Sequence, residues 1–334
     1  MILKIFITIL VSSLSLVILN QRKNLSEKYN FLDNPETESK KIHKYSISNI
    51  GGLSCLIPFL ISIIISFYLE DFFSKKYLIV IFASSFFYFF LGRYDDIKNI
   101  SPSVKFISFV FIFLFFYPLE TNLIIKDLRF NYLNLIISLN DYSIFFTLFC
   151  MFVFYNASNF IDGANGLYAS TIIFWIISFI ILTKLLSIIL LIIILSLLIF
   201  LYFNLKNKVF FGNSGNAFLS CFIGSLFIFE YNKFGNIYCD EILFLFIIPG
   251  LDMIRVVIER LFKGKSPLEG DNRHLHHLIL NVLDEKLVWI LNLIITIFPI
   301  VLLKIIDNFY YTLIISTLIY FSLIFFIPKK SKFD

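Results

Sequence analysis

Cysteine is scarce in this chain, with four residues among 334. Cys55, Cys150 and Cys221 fall within or beside apolar runs, Cys239 stands alone in a polar connection, and no two show paired spacing. The disulfide framework of small secreted domains is therefore missing, and we expect free thiols. Alternating apolar and polar segments of about ten residues are missing too, which excludes a membrane β-barrel.

Charge is also sparse, at 15% of residues, whereas 59% are hydrophobic and 19% are aromatic. The mean hydropathy is +0.87, and apolar runs recur that are long enough to cross about 30 Å of hydrocarbon. Because lipid cannot satisfy backbone polar groups, these runs are predicted to be helices. We predict an all-α polytopic membrane bundle, one domain over residues 1–334. The eleven predicted transmembrane helices cover residues 1–19, 50–69, 77–92, 103–119, 142–158, 167–183, 185–204, 216–231, 241–258, 288–305 and 309–328.

The distribution of Lys and Arg predicts the orientation of these helices. If Met1 lies outside, the inner segments carry twenty basic residues and the outer segments seven, with Lys4 uncounted. The positive-inside rule then places the N-terminus outside and the C-terminus in the cytoplasm. The first span lacks a basic n-region and a cleavage site, and Arg22 and Lys23 follow it, so we expect a retained helix. The net charge of +5 requires no nucleic-acid partner, since basic inner loops meet anionic lipid headgroups.

In this orientation all the unusual polar clusters lie on the cytoplasmic face. Transporters built from two related halves place polar groups near the bilayer midplane, whereas here no repeat is apparent and the span centres carry almost no charge. This favours surface chemistry on a lipid over transport, although a transporter or flippase stays an alternative. We predict one active site built from the loops 20–49, 93–105, 156–167, 205–215 and 255–287.

Adjacent carboxylates, Asp95 and Asp96, end the third span. Two such acids repel unless a cation or proton lies between them, and Mg²⁺ takes one or two carboxylates together with phosphate oxygens. The alternative is a solvated helix end facing Arg93 and Lys98. Lys105 either binds phosphate or anchors the next helix at the interface.

Two connections rich in Asn and Gly carry few or no basic residues. Residues 156–167 read Asn-Ala-Ser-Asn-Phe-Ile-Asp-Gly-Ala-Asn-Gly-Leu, and residues 212–215 read Gly-Asn-Ser-Gly. Their glycines admit close approach of a ligand, and the Asn and Asp side chains suit a base, a sugar or a hydrated metal. Ordinary helix-connecting turns are the alternative for both.

Three of the four histidines are concentrated at His274, His276 and His277. A tetrahedral zinc shell would need further Cys or His ligands nearby, and none is present in the sequence there. Cations surround the cluster, including Arg255 and Arg273, and they repel a metal ion but attract anions. A diphosphate ligand is therefore favoured over a transition metal.

The order of these motifs resembles the polyprenyl-phosphate N-acetylhexosamine-1-phosphate transferases, membrane enzymes of glycosyltransferase family 4. The similarity runs from Asp33 to His277. It rests on Asp33-Asn-Pro with His43-Lys44 and Gly51-Gly52, on Asp95-Asp96 with Lys105, on the N-x-x-N-F-x-D-G-x-N-G-L pattern of residues 156–167, and on Asp252, Arg255, Arg260, Pro267, Asp271 and His274-Leu-His276-His277.

The resemblance implies transfer of a sugar-1-phosphate from a UDP-sugar to undecaprenyl phosphate, at the cytoplasmic face of a bacterial plasma (inner) membrane. Mg²⁺, with Mn²⁺ as an alternative, is the implied cofactor, held by Asp96 with Asn213 as a weak ligand. Asp95 and Asp96 are the implied catalytic pair. The implied substrate-binding residues are Lys105, Asn156, Asn159, Asp162, Asn165, Arg255, Asp271, Arg273, His274, His276 and His277.

Two positions depart from the family pattern. Asn213 stands where the family usually has an aspartate, and Ser48-Asn49 stand where a Pro-Arg pair is common. Because of Asn213, an inactive relative that binds its substrates without turnover is an alternative. The His-x-His-His spacing resembles the branch that uses small UDP-sugars, which favours UDP-GlcNAc and initiation of a cell-envelope polysaccharide. A transferase that resembles the lipid I synthase, and acts on phospho-MurNAc-pentapeptide, is the alternative. The sequence leaves the oligomeric state open, a homodimer included.

Overall fold

The computed structural model describes residues 2–33, 46–264 and 273–327. The chain divides into two compact units. The first unit comprises Met1–Ile124 and Ile176–Phe229, and the second comprises Ile125–Trp175 and Glu230–Asp334.

Helices dominate the described residues, as predicted for a membrane bundle. They are α1 (Ile2–Asn20), α2 (Arg22–Tyr29), α3 (Gly51–Leu69), α4 (Lys75–Lys98), α5 (Pro102–Phe116), α6 (Ser143–Ile161), α7 (Leu167–Thr183), α8 (Ile188–Asn204), α9 (Gly212–Lys233), α10 (Cys239–Phe262), α11 (Leu275–Leu280), α12 (Glu285–Ile306) and α13 (Phe309–Phe326). The strands β1 (Leu32–Asp33) and β2 (Ile47–Ser48) form one antiparallel pair, and β3 (Asp127–Phe130) and β4 (Leu135–Ser138) form another.

Each of the eleven predicted spans coincides with one long helix. Within the described ranges, seven helices are long and apolar enough to cross a membrane: α1, α3, α4, α5 with the 3₁₀ turn that follows it, α6, α12 and α13. The helices α7 and α8 are apolar but shorter. The predicted helical membrane character is thus confirmed, whereas the number of crossings and their orientation stay predictions.

The two short helices and both antiparallel strand pairs were not predicted from the sequence. The helices α2 and α11 lie in segments predicted to be inner loops, and the β3–β4 hairpin lies in a predicted outer connection. The helix α2 is short and polar, and it ends at Asn30, which takes the left-handed conformation (φ 57°). Segments this short carry too little hydrophobic periodicity to be recognised from sequence.

In the first unit, small residues bring helices close together. The hydroxyl of Ser15 in α1 donates to the carbonyl of Ser54 in α3 (2.7 Å). A Cβ on Gly52 of α3 would lie 2.4 Å from the Cα of Gly215 in α9, so these two glycines let the helix backbones touch. Such contacts are typical of helices packed in lipid. The second glycine of the Gly-Asn-Ser-Gly segment therefore has a packing role, independent of any phosphate.

In the second unit, aromatic side chains pack α6 and α7 against α10. Trp175 donates from Nε1 to the carbonyl of Leu245 (3.2 Å) and contacts Phe246 edge-to-face (ring centroids 4.8 Å apart). Phe154 of α6 completes this group, 5.3 Å from Trp175 and 4.9 Å from Phe246. The packing orders the helices whose ends carry the polar motifs.

Candidate active site: an acidic cluster and a histidine cluster

The first group of predicted site residues, named the acidic cluster, consists of Asp95, Asp96, Lys105 and Asn213 and lies in the first unit. Asp95 and Asp96 occupy the last turn of α4, which ends at Lys98. Consecutive helical residues point in directions about 100° apart. The two carboxylates accordingly have different partners.

Asp95 faces α5. Its Oδ2 lies 2.6 Å from Nζ of Lys105, and the Asp95 side chain is only 3% exposed. Ser101 and Pro102 begin α5 as an N-cap and a first-turn proline, which fixes Lys105 in the second turn. The other carboxylate oxygen, Oδ1, is buried with no hydrogen-bond partner among the described residues. A buried acceptor in this state is available to a ligand.

Asp96 faces the beginning of α9. Its Oδ1 accepts the N–H of Asn213 (2.9 Å), and its Oδ2 accepts the N–H of Ser214 (3.2 Å). A carboxylate here satisfies amides that have no helical partner and interacts favourably with the helix dipole. Asp96 and Asn213 were predicted to act at one place, and the structure brings them together through the Asn213 backbone.

The acidic cluster has donor chemistry that fits Mg²⁺. The buried Oδ1 of Asp95 has no partner among the described residues, and the Asp96 carboxylate keeps lone pairs beyond the two amide contacts. All these atoms are hard oxygen donors, and Mg²⁺ ordinarily combines one or two carboxylates with water and substrate phosphates. Within residues 2–33, 46–264 and 273–327, no group of three or more His, Cys, Asp or Glu side chains is arranged to hold a metal. Substrate oxygens and water would therefore supply the remaining ligands.

The second group, named the histidine cluster, lies in the second unit and is organised by Asp252 of α10. The Asp252 Oδ1 accepts hydrogen bonds from Arg255 (2.8 Å), from the Tyr320 hydroxyl (2.9 Å) and from the Leu275 N–H (3.0 Å). Its Oδ2 lies 2.8 Å from Nδ1 of His274. One buried carboxylate thus fixes α10, α13 and the beginning of α11. Asp252 carried part of the family resemblance but no predicted role, and nothing in the sequence pointed to Tyr320.

His274 is held on two sides. Asp252 engages Nδ1, and the ring stacks on Phe160 of α6 (centroids 4.5 Å apart, planes 25° apart). Nε2 is buried with no hydrogen-bond partner among the described residues. Because Nδ1–H donates to the Asp252 carboxylate, Nε2 is the nitrogen left for a ligand, and it donates to an anion only when the ring carries both protons.

His276 lies against the turn after α6. A Cβ on Gly163 would stand 2.0 Å from Nε2 of His276, so a side chain at position 163 would have to displace this imidazole. Burial lowers the pKa of His276 well below its ordinary value of 6.5, and the charges of His277 and His274 act in the same direction. The Asn- and Gly-rich segment 156–167 and the histidine cluster, predicted separately, are thus in contact.

Arg255 is committed to the interior of the second unit. Its guanidinium donates to Asp252, to Glu259 (2.7 Å), to Tyr320 (2.8 Å) and to the carbonyl of Arg273 (2.6 Å). Four of five possible donors are used, so Arg255 stabilises the network rather than presenting a free fork to an anion. From the sequence, Arg255 was predicted to contact substrate.

The remaining predicted residues also belong to the second unit, in or beside α6 and α11. The Asn156 side chain donates to the carbonyl of Phe152 in its own helix (2.8 Å), and Asn165 donates to Glu285 (2.7 Å). Asn159 and Asp162 lie at the end of α6 and each has further contacts. Arg273 is 3.7 Å from Glu259, and the rings of His276 and His277 are 4.1 Å apart. The predicted residue Asp271 lies outside the described residues, as does His43 of the first inner loop.

The described structure thus combines long apolar helices with two clusters of predicted site residues, one in each unit. Comparison with known proteins indicates the class, that of the glycosyl and phosphosugar transferases. The family model of glycosyl transferase family 4 matches residues 78–230, which include both carboxylates and the asparagine-rich segment. The predicted resemblance to this family is confirmed.

Three relatives illustrate the similarity, and each is named undecaprenyl-phosphate alpha-N-acetylglucosaminyl 1-phosphate transferase. The protein of Escherichia coli O157:H7 is 27% identical over 272 residues, which cover 77% of this chain and 71% of the relative. That of Salmonella typhimurium is 25% identical over 274 residues, with the same coverage. That of Thermotoga maritima is 26% identical over 255 residues, covering 75% of this chain and 74% of the relative.

Proposed function

We propose that this protein transfers N-acetylglucosamine-1-phosphate from UDP-N-acetylglucosamine to undecaprenyl phosphate, releasing UMP. The observation that carries the proposal is His274, whose buried Nε2 is unpartnered within the described structure while Asp252 and Phe160 fix the ring. A ring fixed in this way, beside the asparagine-rich turn, suits recognition of a nucleotide diphosphate. The similarity to transferases named for this reaction supports the same conclusion.

The proposed reaction is a phosphoryl transfer. An oxygen of the acceptor phosphate attacks the β-phosphorus of the donor. The bond from that phosphorus to the oxygen bridging the α-phosphate breaks, and UMP leaves with the bond electrons. The sugar–phosphate bond stays intact, and the product is a lipid diphosphate sugar. Catalysis of such chemistry consists chiefly of positioning and of neutralising charge.

The acidic cluster would handle the acceptor. Asp95 positions or deprotonates the acceptor phosphate, and Lys105, at 2.6 Å from Asp95, would exchange this ion pair for a contact with the phosphate. Asp96 would hold Mg²⁺, which would supply neutralisation of the charge on the diphosphate. Asn213 would contribute a neutral amide oxygen, a weaker ligand than the carboxylate that the family usually has there. The adjacent carboxylates could share these roles, since coupled acids titrate as a pair.

The histidine cluster would handle the donor. His274 and His276, with Arg273 and His277, would bind the diphosphate, and Asn159 and Asp162 would contact the nucleotide sugar. Asp252 and Arg255 act as positioning residues in this scheme, because they touch His274 and Arg273 and are themselves buried. The His-x-His-His spacing favours a small UDP-sugar over the MurNAc-pentapeptide donor.

A second candidate function follows from Asn213. A chain that lacks this carboxylate could bind the nucleotide sugar or the lipid without turnover. The backbone N–H of Asn213 donates to Asp96. An asparagine in place of aspartate at position 213 therefore changes the acidic cluster directly.

The test uses purified protein with undecaprenyl phosphate, Mg²⁺ and UDP-N-acetylglucosamine labelled in the sugar. Equal amounts of lipid-linked label and UMP are expected. Label in the lipid without UMP would contradict the chemistry. Saturable UDP-sugar binding with no product from any donor, and restored product in Asn213→Asp, would favour the binding-only candidate. Movement of intact label across vesicles without UMP would favour transport.

A further inference from the structure

Asn49, which precedes the N-cap residue Ile50 of α3, has a side-chain oxygen without an assigned role. Its backbone is fixed, since its N–H donates to the carbonyl of Phe31 (2.8 Å). On either side of it, the carbonyl of Ser48 accepts from Phe210 (2.8 Å) and Gly51 donates to Phe210 (3.1 Å). Its side-chain Oδ1 is nevertheless buried, with no hydrogen-bond partner among the described residues. Such an orphan acceptor calls for an unseen partner.

This oxygen belongs to the surroundings of Asp96. Gly212, which begins α9, is the common reference point. A Cβ built on it would lie 3.1 Å from Oδ2 of Asp96 and 3.5 Å from Cβ of Asn49. The side chains of Asn49 and Asp96 therefore flank the same backbone position. The amide of Asn49 extends only two bonds beyond its Cβ, so Oδ1 is within reach of an ion held by Asp96.

The chemistry of the amide suits that ion. Amide oxygens are hard, neutral ligands, and proteins use them beside carboxylates to bind divalent cations. The buried Oδ1 of Asp95 is likewise unpartnered among the described residues, but Asp95 faces α5, so the inference rests on Asn49 and Asp96. An oxygen ligand from Asn49 would thus restore part of the cation affinity that is lost by having Asn213 in place of an aspartate.

We propose that Oδ1 of Asn49 is a ligand of the divalent cation at Asp96. The cation would then be bound by Asp96, Asn49 and Asn213, where the family pattern has an aspartate at position 213. This inference rests on the metal site of the proposed function. It assigns a metal-binding role to the first inner loop and predicts a site of weak affinity, because neutral ligands bind Mg²⁺ less tightly than carboxylates.

The experiment measures Mn²⁺ binding to the purified full-length protein by electron paramagnetic resonance, without substrates, through loss of the free-ion signal. Asn49→Leu keeps a similar volume without the oxygen and should weaken binding about tenfold or more. Asn49→Asp supplies a charged ligand and should tighten it. Asn131→Asp is the matched control, since it adds the same charge at an exposed position before β4. It should leave Mn²⁺ affinity unchanged.

The outcomes separate the inference from the proposed function. If the wild type binds Mn²⁺ and Asp96→Asn abolishes binding while both Asn49 variants bind like the wild type, Asn49 is not a ligand and the proposed metal site stands. If the wild type binds no Mn²⁺, the metal site of the proposed function fails, and the inference with it. Equal thermal unfolding midpoints of Asn49→Leu and the wild type without metal would show that any lost affinity is not lost folding.

Discussion

Gly163 lies directly against the imidazole of His276: a Cβ at position 163 would stand 2.0 Å from Nε2. The two residues are 113 positions apart in sequence and belong to different motifs. Glycine is therefore required here by the histidine, in addition to any demand of the turn itself. The contact joins the asparagine-rich turn and the histidine cluster into one structural element of the second unit.

Gly163→Ala should impair donor binding and transfer. The new methyl group would displace His276, and a displacement near 1 Å in an active site lowers activity by about a hundredfold. Transfer is measured as UMP release, and donor binding by calorimetry with UDP-N-acetylglucosamine. Gly250→Ala in α10 is the matched control, because its Cβ would meet no atom within 4 Å. If both variants kept wild-type donor affinity, His276 would have no part in the donor site.

Asp252→Ala should strongly destabilise the second unit. The change removes the carboxylate that pairs with Arg255 and His274 and leaves both side chains buried. Breaking a buried ion pair in this way costs about 3–5 kcal/mol. Tyr320→Phe removes one hydrogen bond of the same network and should cost only about 1 kcal/mol. Denaturant unfolding in detergent compares the two free energies. Equal losses for the two variants would rule out Asp252 as the centre of the network.

Acid should destabilise the protein through His276. Its pKa is lowered in the folded state, so between the ordinary value near 6.5 and the lower folded value only the unfolded chain takes up the proton. The free energy of unfolding should therefore fall as pH drops below about 6.5, by at most about 1.4 kcal/mol per pH unit from this group. His276→Gln should show a shallower slope between pH 7.5 and 5.5. An identical slope would mean that the histidine protonates freely in the folded protein.

Asp96→Ala should have two measurable effects. It removes the acceptor of the Asn213 and Ser214 amides, which should lower the free energy of unfolding by about 1 kcal/mol, as loss of a helix cap does. It should also abolish Mg²⁺-dependent UMP release if Asp96 holds the cation. Asp95→Asn should likewise lose UMP release, since Asp95 is assigned to the acceptor phosphate. Normal Mg²⁺-dependent release in either variant would refute the assignment.

The sequence by itself determined the helical membrane character and the family resemblance. Apolar runs must become helices where water is absent, so all eleven predicted spans coincide with helices, although short elements such as α2 escaped notice. The motifs at positions 95–96, 156–167 and 274–277 were likewise recognisable, because each has the residue types and spacing of the family pattern that it resembles.

Only the tertiary structure decided which partner each polar side chain takes. Sequence placed Asp95 and Asp96 side by side, yet the turn of α4 directs one to Lys105 and the other to the amides of α9. Sequence suggested that Arg255 binds an anion, whereas packing of α10 against α13 directs it to Asp252 and Tyr320. Periodicity predicts which face of an element is buried, but hydrogen bonds between residues far apart in the chain depend on how the elements pack. That is why the orphan oxygen of Asn49 and the contact of Gly163 with His276 had no signature in the sequence.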